Sequence, residues 1–176
     1  MGFFDFLKPK RSGGSPEPGP RAKPDSAGAV DFDFLSREAE SGRDVALLAE
    51  LWRAAFALEK WYVLARGHGG DAATGTGRLP NGRTYVFAFT DPAKAAAFID
   101  GPDYPASDGP ANVMSIPVAA FVAGLPELRR NGVEGVCINR APGSHAFGGP
   151  VEDVIAMHEE CRRQVPDEPA AGPVPD

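Results

Sequence analysis

Two short apolar runs decide the fold. The first is Tyr85-Val86-Phe87-Ala88-Phe89, followed by Thr90-Asp91-Pro92, and the second is Gly135-Val136-Cys137-Ile138, followed by Asn139. Both runs have the length and the β-branched or aromatic content of a strand. Each ends abruptly in polar residues, as is typical where a strand gives way to a helix or a turn. The pair therefore predicts an α/β domain in which helices cover a sheet.

Further elements are predicted on both sides of these two runs. Apolar residues recur at three- and four-residue spacing between Val45 and Leu58, which indicates a packed helix. Pro126 interrupts a similar pattern, because proline cannot donate to the preceding turn. The predicted strands are residues 61–65, 83–89, 113–116 and 133–138. The predicted helices are a segment starting at Ser36, residues 44–59 and 92–100, a bent or divided helix over 117–131, and a last helix from Pro150.

These elements predict a mixed four-stranded sheet packed with helices. The first two strands are expected to be antiparallel because no helix separates them, and the later ones parallel because helices join them. The glycine-rich stretch 66–82 is interpreted as a structural loop. It lacks both the third glycine of a dinucleotide motif and the phosphate-binding pattern that ends in Gly-Lys-Ser or Gly-Lys-Thr.

Composition predicts a single domain with two disordered tails. The 176 residues suffice for one ordinary domain, here 31–165, with a normal apolar fraction of 43%. Residues 9–30 and the acidic, Pro-rich tail 166–176 have few large side chains and are expected to be disordered. Residues 1–24 carry five basic and two acidic side chains, a net charge of +3, so the rest carries −9 of the total of −6. An acidic body argues against nucleic-acid binding.

The N-terminus combines apolar side chains with a basic flank. Phe3, Phe4, Phe6 and Leu7 lie within seven residues, next to Lys8. The segment could dock into a groove of a protein partner, fold back onto its own domain, or rest at a membrane, the last being the least favoured. It is too short to form a stable isolated helix, so it would order only against another surface.

No catalytic residue, cofactor or metal site is predicted. Cys137 lies in an apolar run, where burial raises a thiol pKa, and Cys161 lies on the last predicted helix. Neither belongs to a CxxC motif, so both are expected to be reduced thiols of a cytoplasmic protein. No apolar run approaches the roughly 20 residues that span a bilayer.

Polar residues at the ends of two predicted strands offer a candidate ligand site. If strands 83–89 and 133–138 are parallel neighbours, Asp91, Asn139, Arg140 and His145 approach one rim of the sheet, where open α/β sheets commonly bind ligands. The simpler interpretation is that Thr90 and Asp91 cap a helix and that Asn139 forms a local turn. The sequence favours this simpler interpretation.

The strand endings also carry a family resemblance. Ala88-Phe89-Thr90-Asp91 and the turn from Gly135 to Gly143 resemble the N-terminal domain of the SseB family (enhanced serine sensitivity protein B), over about residues 45–160. The Asn-Pro of that family is Asn139-Arg140 here, with the proline displaced to Pro142. The resemblance implies a bacterial α/β domain with no established catalytic residues.

Two functions follow as hypotheses. The first is a non-enzymatic module that binds or regulates an unidentified protein partner. The second is a small-ligand protein or an enzyme that uses the polar rim.

Overall fold

A computed structural model describes residues 30–42, 44–66, 73–104 and 111–164. The helices are α1 (Phe32–Gly42), α2 (Val45–Phe56), α3 (Pro92–Ile99), α4 (Val118–Arg130) and α5 (Val151–Gln164). The strands are β1 (Lys60–Arg66), β2 (Ala73–Thr74), β3 (Thr76–Arg78), β4 (Thr84–Phe89), β5 (Ala111–Pro117), β6 (Gly135–Ile138) and β7 (Phe147–Pro150). The predicted α/β class and the mixed sheet are confirmed.

The strands form one sheet in which β5 and β7 are the outer strands. Across the sheet, β5 pairs with β1, β1 with β4, β4 with β6, and β6 with β7. The β4–β6 pair is parallel and the β1–β4 pair is antiparallel, as predicted. The expectation of parallel pairing fails for β5, because the chain crosses from β4 to the far side of β1 and pairs there in the antiparallel sense.

The predicted count of four strands is too low. The glycine-rich loop contains β2 and β3, which share one strand position between β1 and β4. They are separated by Gly75, whose N–H donates to the Leu64 carbonyl at 2.6 Å. A Cβ at Gly75 would lie 2.7 Å from the Cβ of Leu64, so only glycine permits this approach. The predicted turn before α5 likewise contains β7, and Pro150 belongs to that strand rather than to the helix.

Both faces of the sheet are covered, and this explains the two apolar runs. Val86 and Ala88 pack into one core with α1, α2, α4 and α5, whereas Phe87 and Phe89 pack against α3 on the other face. Successive side chains of a strand point to opposite faces, so a strand covered on both sides is apolar throughout. In β6, Cys137 likewise faces α3 while its neighbours face the larger core.

Two helix boundaries differ from the prediction. Ser36 does not start a helix but lies inside α1, because Asp31 accepts the N–H of Phe34 at 2.9 Å and begins the helix one turn earlier. Pro126 does not divide its helix, and α4 is continuous from Val118 to Arg130. Pro126 is exposed, so the carbonyl that lacks an N–H donor because of the proline lies on the solvent side of the helix, where water can bind it.

Candidate functional site

Asn139 and Thr90 join the carboxyl ends of β4 and β6. The Asn139 side chain is fully buried, and its Oδ1 accepts the Thr90 N–H at 2.9 Å and the Thr90 hydroxyl at 3.1 Å. The Asn139 amide lies 3.0 Å from the same hydroxyl, so the two side chains satisfy each other. Asn139 has a φ of 59°, a left-handed conformation that asparagine tolerates better than most residues. These contacts give Asn139 a structural role at the rim.

Asp91 is the N-cap of α3. Its Oδ1 accepts the Ala93 N–H at 2.6 Å, and Pro92 follows in the first helical turn, as the sequence predicts. Asp91 also lines a cavity of about 530 Å³ at the rim, together with Asp33 and Lys94. The Lys94 ammonium pairs with the Asp33 carboxylate at 2.7 Å, and Asp31 and Asp91 leave the lining of this cavity with an excess of negative charge.

Arg140 and His145 lie elsewhere in the rim region. The Arg140 guanidinium pairs with Asp103 at 3.2 Å and lines a different cavity, of about 90 Å³, on the α3 face of the sheet. The backbone N–H of His145 donates to Asp33 at 3.1 Å, which ties the turn before β7 to α1. The four predicted ligand residues therefore surround the rim without converging on one cavity.

Neither thiol is poised for nucleophilic chemistry. Burial raises the pKa of Cys137 to about 11, and the Arg140 charge offsets part of that effect. Burial also raises the pKa of Cys161. Because the thiolate is the reactive form, both cysteines are largely protonated at neutral pH.

Within the described ranges, no three His, Cys, Asp or Glu side chains come together in a group that could hold a metal ion. None of the described helices is long and apolar enough to cross a membrane. Phe3, Phe4, Phe6 and Leu7, which the sequence predicts to contact a partner, lie outside the described residues.

The sequence did not predict a groove that lies between α1, α2 and β7. We call it the α1–α2 groove; its volume is about 400 Å³. Its lining includes Ser36 and Ala39 of α1, Val45, Leu48 and Leu51 of α2, and Phe147 of β7. Val45 is 79% exposed and Leu48 38% exposed, although both are apolar. The groove therefore presents apolar surface to solvent.

The floor of the groove is rigid and aromatic. Phe147 stacks on Phe32 with ring centroids 6.4 Å apart, and it meets Trp52 edge-on at 5.2 Å. The walls are held by Asp44, which caps α2 by accepting the N–H groups of Ala46 and Leu47 at 2.8 and 3.2 Å. Such packing fixes the position of the Phe147 ring, and the cap fixes the start of α2.

One polar group in the groove has no partner. The hydroxyl of Ser36, a residue only 3% exposed, makes no hydrogen bond within the described structure. Buried hydroxyl groups are nearly always paired, since leaving one unpaired costs about 1–3 kcal/mol. The sequence predicts Ser36 at a helix start and Val45 and Leu48 in a core-facing stripe, and neither pattern indicates a groove.

Comparison of the chain with known protein-family models, and with curated proteins, finds no match.

Proposed function

We propose that this chain is a non-enzymatic bacterial α/β module of the SseB N-terminal type, which binds a protein segment in the α1–α2 groove. The observation that carries the proposal is the groove itself. It combines exposed apolar side chains on helical spacing, a rigid aromatic floor and an unpaired buried hydroxyl. Apolar grooves between two helices are a recurring way to bind short segments of a partner.

The chemistry of the rim supports a binding rather than a catalytic role. Asn139 and Thr90 satisfy each other, Asp91 caps a helix, and Arg140 pairs with Asp103. A catalytic site needs a nucleophile or a base directed at a shared reaction volume. The family resemblance, whose domain has no established catalytic residues, agrees with this assignment.

The partner class follows from the lining of the groove. Its walls are apolar, and its open edge carries the carboxylates of Glu40 and Asp44. A matching segment would bring two or more large apolar side chains with basic residues beside them. We therefore propose a protein partner with an apolar segment and a basic flank.

Affinity capture from a bacterial lysate tests this function. The full chain is used as bait beside Val45→Lys, which places a charge in the groove, and Val113→Lys, which alters an exposed apolar residue of β5 away from it. We expect Val45→Lys to lose at least one captured protein that wild type and Val113→Lys both retain. Identical captured proteins for all three baits would contradict the proposal.

A small-ligand function at the rim is the second candidate, favoured by the cavity of about 530 Å³ that Asp91 and Lys94 line. Its volume lies within the range of about 300–1,000 Å³ typical of ligand pockets. A screen of small metabolites by thermal shift tests it. A ligand of this cavity should stabilise wild type and not Lys94→Met, whereas a screen without any such ligand would count against this candidate.

A further inference from the structure

We infer that the α1–α2 groove is occupied, in the resting protein, by the Phe-rich N-terminus of the same chain. We call residues 3–8 the arm. Docked in this way, the arm would act as an internal competitor for the protein segment that the groove binds. The inference rests on the proposed function of the groove and adds a regulatory element to it.

The apolar side chains of the arm suit the groove. If the arm docks as a helical turn, Phe3, Phe4, Phe6 and Leu7 would share one side of it, since residues three and four apart are neighbours on a helix. The exposed apolar surface of the groove comes from Val45 at one end and Leu48 beside it. Burying an aromatic ring against such surface removes about 150–250 Å² from water per ring.

Charge selects the arm over a generic apolar segment. Lys8, Lys10 and Arg11 follow the apolar residues directly. The open edge of the groove carries Glu40 and Asp44, both exposed. Apolar residues seated on the groove floor would therefore bring the basic flank against carboxylates.

The Ser36 hydroxyl is an unsatisfied polar group in the α1 wall, buried just below the surface of the groove. A rotation of this side chain toward the groove would let a backbone N–H or carbonyl of an inserted segment pair with it, which an apolar side chain alone could not do. A peptide supplies both apolar side chains and such backbone groups.

The connection is long enough for docking within one chain. The described structure begins at Val30, and Ser36 lies one turn into α1, about 9 Å along the helix axis from that point. Residues 9–29 join the arm to Val30, and a chain of that length spans about 25 Å on average. No extended conformation is needed to reach the groove.

Another apolar groove fits the arm less well. The groove between α2 and α5 has a volume of about 360 Å³ and is lined by Phe56 and Cys161. Its charged lining residues are Arg53 and Arg162, which would repel the basic flank. Electrostatics therefore favours the α1–α2 groove over the groove between α2 and α5.

Photo-cross-linking of the full chain tests the inference. Phe4 is replaced by p-benzoylphenylalanine, the protein is irradiated, and the attachment sites are mapped by mass spectrometry. We expect the cross-links to fall on the α1–α2 groove. In an equal mixture of ¹⁵N-labelled and unlabelled protein, each cross-linked product should carry one isotope only, as docking within one chain requires.

Matched variants separate docking from chance contact. Val45→Lys and Glu40→Lys, both at exposed positions, should each lower the cross-link yield at least fivefold with an unchanged circular dichroism spectrum. Val113→Lys should leave the yield unchanged. The inference is overturned by cross-links to other surfaces, by mixed-isotope products, by the absence of cross-links to the domain, or by yields insensitive to both groove variants.

Failure of this inference is distinguishable from failure of the proposed function. If the arm competes for the groove, Phe3→Ser/Phe4→Ser/Phe6→Ser should capture at least twofold more of the groove-dependent partner than wild type. Groove-dependent capture without cross-linking would refute the arm as occupant and leave the function standing. Capture that ignores Val45→Lys would refute the function, whatever the arm does.

Discussion

Asn139 combines two requirements that few residues meet together. It adopts a φ of 59° while its buried amide pairs with the backbone and the hydroxyl of Thr90. Alanine at this position must adopt the same positive φ, which costs free energy, and it leaves the Thr90 N–H without its acceptor. We expect the free energy of unfolding to fall by about 2–4 kcal/mol, the sum of an unpaired buried donor and a strained backbone. Urea denaturation measures it.

Asn139→Gly is the control that separates the contribution of the hydrogen bonds from that of the backbone strain. Glycine adopts a positive φ without steric cost but lacks the amide. Asn139→Gly should therefore lose the stability that the hydrogen bonds contribute. Its free energy of unfolding should nevertheless exceed that of Asn139→Ala by about 1 kcal/mol. Equal stability of wild type and Asn139→Ala would show that the contact between Asn139 and Thr90 does not hold the rim.

Cys137 makes stability depend on pH in the alkaline range. Burial raises its pKa from 9.0 to about 11 in the folded protein. The unfolded chain therefore loses this proton first, and the stability that the neutral thiol contributes declines as pH rises above 9. Between pH 8 and pH 10.5, the advantage of wild type over Cys137→Ala in unfolding free energy should fall by about 2 kcal/mol.

Cys161→Ala is the matched control for this pH dependence. Its thiol is only partly buried, so the same comparison should change by less than half as much. Urea denaturation is measured at both pH values for wild type and both variants. The three proteins contain the same tyrosine and lysine residues, so the comparison between them cancels the titration of those groups. An advantage of wild type over Cys137→Ala that stays constant with pH would contradict the pKa assigned to Cys137.

At the scale of elements, the sequence predicted the strands whose side chains are apolar and missed those that are not. The β4 and β6 runs were recognised because both faces are buried, so every position is apolar. The missed strands β2, β3 and β7 are short, and in β3 and β7 glycine takes positions at which a side chain would have shown a pattern. Their positions are decided by pairing with distant strands, which a local pattern does not contain.

The features of the candidate site also differ in whether the local sequence predicts them. The cap at Asp91 follows from local chemistry and is confirmed. Thr90, predicted as a second cap, and Asn139, predicted as a local turn, instead pair with each other across two strands, a contact that the local sequence does not contain. The α1–α2 groove depends on how two helices pack over β7, which is a tertiary property. Exposure of Val45 could not be read from its place in an apolar stripe, because a stripe predicts burial.

The edge strand β7 offers a prediction at this scale. A Cβ at Gly148 would overlap the carbonyl oxygen of Val136 on β6, whereas a Cβ at Gly149 meets nothing within 4 Å. Gly148→Ala should therefore push β7 away from β6 and lower the unfolding free energy by about 2–4 kcal/mol. Gly149→Ala should stay within about 0.5 kcal/mol of wild type. Thermal or urea unfolding of the pair checks this, and equal stabilities would refute the β6–β7 register.

At the scale of the whole molecule, charge is divided between two parts of one chain. Residues 1–24 carry a net charge of +3 and the remainder −9. An acidic body attracts a basic N-terminus without any specific contact, which raises the local concentration of the arm around the domain. Specific docking adds the apolar contacts of the groove. Salt weakens the electrostatic attraction, whereas the apolar contacts persist in salt.

Salt therefore provides the last prediction. Raising NaCl from 0.01 to 1 M shortens the Debye length from about 30 Å to about 3 Å, which screens the basic flank from Glu40 and Asp44. With p-benzoylphenylalanine at position 4 of the full chain, the cross-link yield in the α1–α2 groove should fall about threefold. It should not vanish, because the apolar contacts of the arm persist. Lys8→Gln/Lys10→Gln/Arg11→Gln, the neutralised control, should give at low salt the yield that the unmodified flank gives at high salt. An equal decline in both proteins would show that the flank does not contact the acidic edge of the groove.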